Sequence, residues 1–259
     1  MSDDIDAQRI AQALTQGQVL SFAQLNSTNE YVLQHYRDLA NGSLCVAQTQ
    51  TAGRGRRGRQ WFSPQSRNLY FSMLWHYETA EIPQLSALSL VVSVVIAETF
   101  EALDIPAIQI KWPNDIYYQG RKMGGILIES RVDRQGIYLV IGIGLNLGMD
   151  QVDLSLVTQQ WSDLSAYELD RTALVIELGQ RLQTALQHYR QQGFAPYAQR
   201  WQRFDLFYHR SVKLITEKEE IQGISLGIND QGELILQQGE IIRAFTIGEI
   251  SLRAGNEKS

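Results

Sequence analysis

Four arginines and three glycines interleave through Gly53-Arg54-Gly55-Arg56-Arg57-Gly58-Arg59. Arginine is always charged and forks onto phosphate or carboxylate oxygens. Glycine lets the backbone turn sharply and approach a ligand closely. The segment therefore reads as a loop that wraps an anion. It is not a Walker loop, because no Gly-Lys-Ser/Thr ends it. A solvated basic loop or a nucleic-acid patch has the same composition. The glycine spacing and the acidity of the whole chain, net charge -5, favour a ligand.

Three smaller clusters follow it. Lys111-Trp112-Pro113-Asn114-Asp115 sits at the end of an expected strand, where α/β proteins place ligands. Lys111 can meet a phosphate, and Asp115 can hold Mg²⁺ or a ribose hydroxyl. A plain strand-ending turn would use the same Pro, Asn and Asp. Arg121-Lys122-Met123-Gly124-Gly125 brings charge beside paired glycines. A plain hairpin turn between a strand ending near Tyr118 and one starting at Gly125 would use the same residues, and turn and site are compatible. Gly142-Ile143-Gly144-Leu145-Asn146 places glycines inside a strand, which implies tight packing on that face. Asn146 could reach a nucleotide. His35, His76, His188 and His209 are scattered and belong to no motif, so all four are expected to be surface or packing residues.

These groups need a scaffold. Ser27 and Glu30 have capping-box spacing, which predicts a helix from there to about Asp38. Apolar spacing predicts a short helix over Ile5–Leu14 and a long buried one over Leu85–Leu103. Asp170 should cap a helix that Gly193 closes, with another short helix near Tyr197–Phe204. Strands are expected over Val19–Leu25, Ser43–Gln48, Leu69–Trp75, Ile108–Trp112, Gly125–Glu129 and Ile137–Leu147. After about Tyr208 only short strands and turns remain: Val212–Thr216, Ile221–Ile228, Leu234–Gln237, Ile241–Thr246 and Glu249–Leu252. The reading is an α/β (α+β) domain over 1–207 and a small β-barrel over 208–259.

The 259 residues are enough for a real core and a shaped pocket. Apolar residues at 44% and charged residues at 20% are ordinary for a soluble protein, with disorder expected only at Met1–Asp4 and Asn256–Ser259. The single cysteine, Cys45, lies in an apolar run and reads as a core residue. No secretory pattern or bilayer-length apolar stretch is visible, so no membrane partner is expected and the reducing cytoplasm is the expected location.

The order of the motifs carries more than any one of them. Ser27-Thr28-Asn29, GRGRRGRQW at 53–61, KWPND at 111–115, RKMGGIL at 121–127, GIGLN at 142–146 and EISLR at 249–253 resemble the biotin protein ligase family. Members that double as the biotin repressor are the nearest in pattern. The resemblance implies a mixed sheet of class II aminoacyl-tRNA synthetase type flanked by helices, with an SH3-like C-terminal barrel. It implies that Ser27, Thr28, Asn29, Gln50, Arg54, Gly55, Arg56 and Lys122 face biotin. Arg57, Arg59, Lys111, Asn114, Asp115, Asn146, Trp161 and Arg253 would surround ATP, with Mg²⁺ near the phosphates at Asp115.

The implied reaction joins the biotin carboxylate to the α-phosphorus of ATP, then passes biotin from biotinyl-adenylate to a lysine of a biotin carboxyl-carrier domain, such as that of acetyl-CoA carboxylase. Cations must offset carboxylate–phosphate repulsion, a task for Arg56, Lys111 and Lys122. Repressor-type members carry a helix-turn-helix module of about sixty residues. Only about twenty residues precede the resemblance here, so operator DNA is not an expected partner, while a homodimer is compatible. Gly124 stands where relatives more often carry a slightly larger small residue, a difference confined to the pocket floor. Two alternatives share part of the pattern: a lipoate–protein ligase, and a non-catalytic biotin sensor. The arginine loop, poor in apolar contacts, is expected to be mobile without ligand and to close over the adenylate.

Overall fold

The computed structural model describes residues 4–65, 67–79, 85–149, 160–216, 219–246 and 251–255. The chain divides into two compact units, Met1–Ile82 with Arg121–Gln187, and Pro83–Gly120 with His188–Ser259. The two chain ends expected to be disordered lie largely outside the described residues, as do the first two residues of the expected strand at Glu249.

The first unit is built on a mixed sheet. Strand β1 (Val19–Leu25) runs parallel to β2 (Leu44–Gln50). Strand β3 (Leu69–Glu78) is antiparallel to β2, with Leu44 opposite Met73. The long pair β6 (Arg121–Val132) and β7 (Gly136–Leu145) continues antiparallel, with β7 next to β3. Side chains alternate between faces with period two, so each strand supplies two distinct surfaces.

Helix α1 (Ala7–Ala13) starts at Asp6, whose carboxylate accepts the Arg9 N–H at 3.0 Å. Helix α2 (Thr28–His35) starts at Ser27, as the capping-box spacing predicts, but ends three residues before Asp38. Its residues Val32 and Leu33 pack on Cys45, Leu74, Tyr138 and Val140. Cys45 is fully buried there, and burial pushes its thiol up to about 12, so it is a core residue and not a nucleophile. Helix α4 (Arg171–Gln192) covers the opposite face, where the Tyr77 hydroxyl donates to the Leu186 carbonyl at 2.8 Å. Asp170 caps it through the Ala173 N–H at 3.0 Å, and Gly193 follows it at φ 65°. His35 stacks on Tyr31 and His76 on Tyr138, while His188 and His209 are exposed, so the histidines are packing and surface residues.

One element differs from its sequence reading. Arg121-Lys122-Met123-Gly124-Gly125 is not a turn but the start of β6; the turn is Gln119-Gly120, both at positive φ. Gly124 and Gly125 sit opposite Leu145 and Gly144 of β7, and this pairing overrides the low strand preference of paired glycines.

In the second unit the apolar helix α3 (Leu88–Ala102) forms the core, with Leu90, Val91, Val94, Ile96 and Phe100 buried. Contrary to the sequence expectation, the 18 residues Leu85–Ala102 are long and apolar enough to cross a membrane by length and composition alone, but they are mostly buried inside the protein. Helix α5 (Ala195–Gln202) pairs with α3 through Arg200, which holds Glu98 with two hydrogen bonds of 2.9 and 2.5 Å. The hairpin β4 (Ile108–Lys111) and β5 (Asp115–Tyr118) packs beside α3. The C-terminal part is a five-stranded antiparallel sheet: β8 (Ser211–Ile215), β9 (Glu220–Ile228), β10 (Leu234–Gln238), β11 (Ile241–Phe245) and β12 (Ser251–Ala254), in the order β11-β10-β9-β8-β12.

Asp205 lies where the segment after α5 pairs with β4 at Ile110. Its Oδ1 accepts the Phe207 N–H at 2.9 Å, but Oδ2 is buried without a partner. Burial pushes the carboxyl from 3.8 up to about 6, against smaller lowering effects from the Phe207 N–H and the Arg210 charge. The folded state therefore holds this proton more tightly than the unfolded one. The resulting penalty is full above pH 6 and fades as pH falls toward 4. Asp205→Asn keeps the oxygen that accepts from Phe207 and removes the charge. It should raise stability by about 1–2 kcal/mol at pH 8 and lose most of that advantage near pH 4, measured by urea unfolding at both pH values.

Candidate active site

On the α2 side of the first sheet the floor changes character along each strand. On β3 the buried Leu74 gives way to Ser72, and on β7 Val140 gives way to Gly142 and then Gly144. On β6 the same face carries Glu129, Leu127 and Gly125, opposite those three β7 residues. The apolar floor thus supports α2, while its small and polar continuation accepts the side chains at the head of that helix.

Asn29 is the centre of this polar region and is buried. Its Nδ2 donates to the Leu127 carbonyl at 3.2 Å and to Glu129 Oε2 at 3.0 Å. Its Oδ1 accepts the Ser72 hydroxyl at 2.6 Å. Ser72 Oγ also lies 2.7 Å from Thr28 Oγ1. Gln50, at the end of β2, accepts the Thr28 N–H at 2.9 Å and donates to Ser63 Oγ at 2.8 Å. Gly142 is a glycine because a Cβ there would run into the Asn29 carboxamide. This is the tight packing that glycines in β7 imply, and Asn29 is what packs.

The arginine loop leaves this network at its base. Arg54 pairs with Glu129 at 2.8 Å, so one carboxylate joins the loop to Asn29. Arg54 bridges to Gln60 in antiparallel fashion, the Gly55 N–H donates to the Arg59 carbonyl at 2.7 Å, and the Trp61 N–H donates to Gly53 at 2.8 Å. Between them Arg56–Gly58 form a tight turn, with Arg57 at φ 57° and Gly58 at φ 68°. Gly58 is needed at its positive φ, whereas Gly53 is needed for space, since a Cβ would lie 2.6 Å from Ser63 Oγ.

Trp61 returns the chain across the glycine floor. A Cβ at Gly144 would lie 2.6 Å from its indole nitrogen, and one at Gly125 would lie 3.4 Å from its ring. The Lys122 ammonium lies 5.5 Å above the ring, and the buried indole N–H has no partner among the described residues.

Backbone bonds gather the remaining residues of the first unit. Trp161 bridges to Lys122, the Ser162 N–H donates to the Lys122 carbonyl at 2.9 Å, and Asn146 Nδ2 donates to the Ser162 carbonyl at 3.4 Å. Asn68 accepts the N–H groups of Leu147 and Gly148 at 3.0 and 3.2 Å, and the buried Arg171 holds the Asn68 carbonyl at 3.0 Å. Ser27, Thr28, Asn29, Gln50 and Arg54 are thus brought into one cluster, and Lys122, Asn146 and Trp161 into a neighbouring one. Sequence alone does not mark Ser72, Glu129, Ser63 or Asn68 as site residues, and it gives Trp61 no role. Only Trp61 and Asn68 had a signal, the first inside the arginine motif and the second as a lone Asn before an apolar strand.

In the second unit the 111–115 cluster is a pinned turn. Lys111 and Asp115 face each other across the hairpin. Between them the buried Trp112 donates to the Gly232 carbonyl at 3.2 Å, and Ser89 donates to the Pro113 carbonyl at 3.0 Å. The Lys111 ammonium donates to the Tyr117 hydroxyl at 3.2 Å. Arg253 lies on β12, opposite Lys213.

Residues 21–146 match the model of the Biotin/lipoate A/B protein ligase family, and residues 210–253 match the Biotin protein ligase C terminal domain. The bifunctional ligase/repressor BirA of Escherichia coli is 43% identical over 98% of this chain and 79% of its own length. The biotin--[acetyl-CoA-carboxylase] ligase of Paracoccus denitrificans is 30% identical over 83% of this chain and 92% of its own length. Among solved structures, the Aquifex aeolicus biotin protein ligase in complex with biotin and ATP superposes with a TM-score of 0.81 at 29% identity, covering 91% of this chain and 98% of that one. The fold and site define an α/β ligase with a C-terminal β-domain. The chain belongs to the biotin protein ligase family, and it is an enzyme acting on biotin rather than lipoate.

Gly142→Ala places a methyl group on the Asn29 carboxamide and should break the network. Biotin affinity should fall at least tenfold in titration calorimetry, with a stability loss of about 1–3 kcal/mol.

Proposed function

We propose that the protein activates biotin with ATP to biotinyl-5′-AMP and transfers it to a lysine of a biotin carboxyl-carrier domain. The observation that carries this is the cluster itself: Thr28, Asn29 and Gln50 meet in one hydrogen-bonded network with Ser72, joined through Glu129 to the base of the arginine loop, with Ser27 beside them as the cap of α2. Such a neutral network suits the polar ring system of biotin, and the loop's cations suit its carboxylate and the phosphates.

In this reading Ser27, Thr28, Asn29, Gln50, Arg54, Gly55, Arg56 and Lys122 bind biotin. Arg57, Arg59, Lys111, Asn114, Asp115, Asn146, Trp161 and Arg253 bind ATP. The biotin carboxylate attacks the α-phosphorus and pyrophosphate leaves; the acceptor lysine then attacks the acyl carbon and AMP leaves. Arg56, Lys111 and Lys122 offset the negative charge that builds up in the first step. Arg54, already paired with Glu129, holds the base of the loop, and the loop closes over the adenylate to keep water away. The described residues contain no group of three or more His, Cys, Asp or Glu side chains fit for a metal. Asp115 supplies one carboxylate, so Mg²⁺ would arrive with ATP and take most of its ligands from phosphates and water. A homodimer and a cytoplasmic location belong to the same proposal.

Incubation with ATP, Mg²⁺, a carrier domain and either biotin or lipoate tests the reading. Biotin should appear on one carrier lysine, with stoichiometric pyrophosphate and no lipoylation. Lys111→Ala and Arg59→Ala should lower adenylate formation by about a hundredfold while changing biotin affinity less than threefold. Absence of pyrophosphate release from the wild-type protein would leave a biotin sensor in place of a ligase. Equal losses in both measurements would show the two roles to be wrongly divided.

A further inference from the structure

The hydrogen-bond network fixes the direction of its own protons. Asn29 Nδ2 lies against two oxygens that can only accept, the Leu127 carbonyl and the Glu129 carboxylate, so the amide orientation is determined by its partners. Its Oδ1 therefore faces Ser72 and can only accept, and the single Ser72 proton goes to it at 2.6 Å. Ser72 Oγ is then left with lone pairs. Its 2.7 Å approach to Thr28 Oγ1 is attractive only if the Thr28 proton points back at Ser72.

Gln50 is fixed in the same way. Its Oε1 accepts the Thr28 backbone N–H at 2.9 Å, so this end of the amide is the oxygen. That oxygen lies 3.2 Å from Thr28 Oγ1, whose proton is already committed to Ser72. Two acceptor oxygens thus stand side by side with no proton between them. Such a pair repels a carboxylate and invites an N–H donor. Ser27 has the opposite polarity, because its Oγ accepts the Glu30 N–H at 3.4 Å and its own proton remains available to an acceptor.

We propose that Ser72 is a positioning residue for substrate choice: through Asn29 it holds the Thr28 hydroxyl as an acceptor, so that this end of the site selects a cyclic urea N–H. The proposal rests on the reading that Ser27 and Thr28 face biotin. Ser72 touches no substrate atom in this account. It acts through the direction of one proton, and Glu129 and Leu127 set that direction from the far side of Asn29. A dithiolane ring has no N–H to offer to this pair of oxygens, and an analogue with oxygen in place of nitrogen sets a lone pair against lone pairs.

The test compares biotin with its two cyclic carbamate analogues, each having one ureido N–H replaced by ring oxygen, by titration calorimetry on the wild type and Ser72→Ala. In the wild type one of the two carbamates should bind about a hundredfold more weakly than biotin. Ser72→Ala releases the Thr28 proton, which can then serve the ring oxygen, and the gap for that carbamate should narrow to about tenfold. The gap for the other should stay within twofold. The ratio is measured on one folded sample, so a loss of stability does not mimic it. If the alanine variant does not fold, Ser72→Cys, with its weaker donor, should give a gap between the two values. An unchanged ratio in the variant that folds, while the wild type binds biotin, overturns the role of Ser72 alone. A wild-type protein that binds no biotin overturns the underlying reading together with it.

Discussion

The carboxamide of Asn29 is held on both sides by groups that leave it one orientation, and much of the first unit is arranged so that this can happen. Its nitrogen needs Leu127 and Glu129, which requires β6 to lie beside β7 in one register. Its oxygen needs Ser72, which requires β3 on the other side of β7. A one-residue slip of either strand would turn these side chains to the opposite face. Gly142 opens the space that the amide occupies, and the Ser27 cap starts α2 at the residue that brings Thr28 and Asn29 down onto the sheet. A buried polar group without its partners costs about 1–3 kcal/mol, so the network is also a demand on the fold. Strand order, helix start and glycine placement are all compatible with satisfying it.

Much of this was readable before any coordinates. The Ser27–Glu30 spacing located the start of α2, and glycines inside β7 implied a close approach on that face. The order of the motifs identified the family. The partners of Asn29 were not readable. Ser72 is one hydroxyl in an apolar strand, where it resembles filler, and Glu129 is one acid in a strand that ends exposed. Their importance comes from the β3-β7-β6 register, which is non-local and leaves no trace in spacing. The same cause explains why β6 starts at Arg121, before the strand start expected at Gly125. Two glycines after two basic residues have little intrinsic preference for a strand, and β7 supplies the reason they form one.

In the proposed reading each unit contributes part of the chemistry. The first gathers a neutral, direction-specific network and then a cationic loop that the Glu129 carboxylate joins to it. The second holds Lys111 and Asp115 on a turn fastened to α3 by Ser89 and to the C-terminal sheet by Trp112. Neutral acceptors favour a urea and disfavour a carboxylate, while the arginines favour the reverse. A substrate with a urea at one end and a carboxylate at the other therefore has one orientation in which both ends are satisfied.

A high-resolution structure of the protein with bound biotin tests this account most directly. It should place a ureido nitrogen within about 3.2 Å of Thr28 Oγ1, with Ser72 still donating to Asn29 and the carboxylate turned toward the arginine loop. Finding the carboxylate or the ureido oxygen against Thr28 and Gln50 would contradict it.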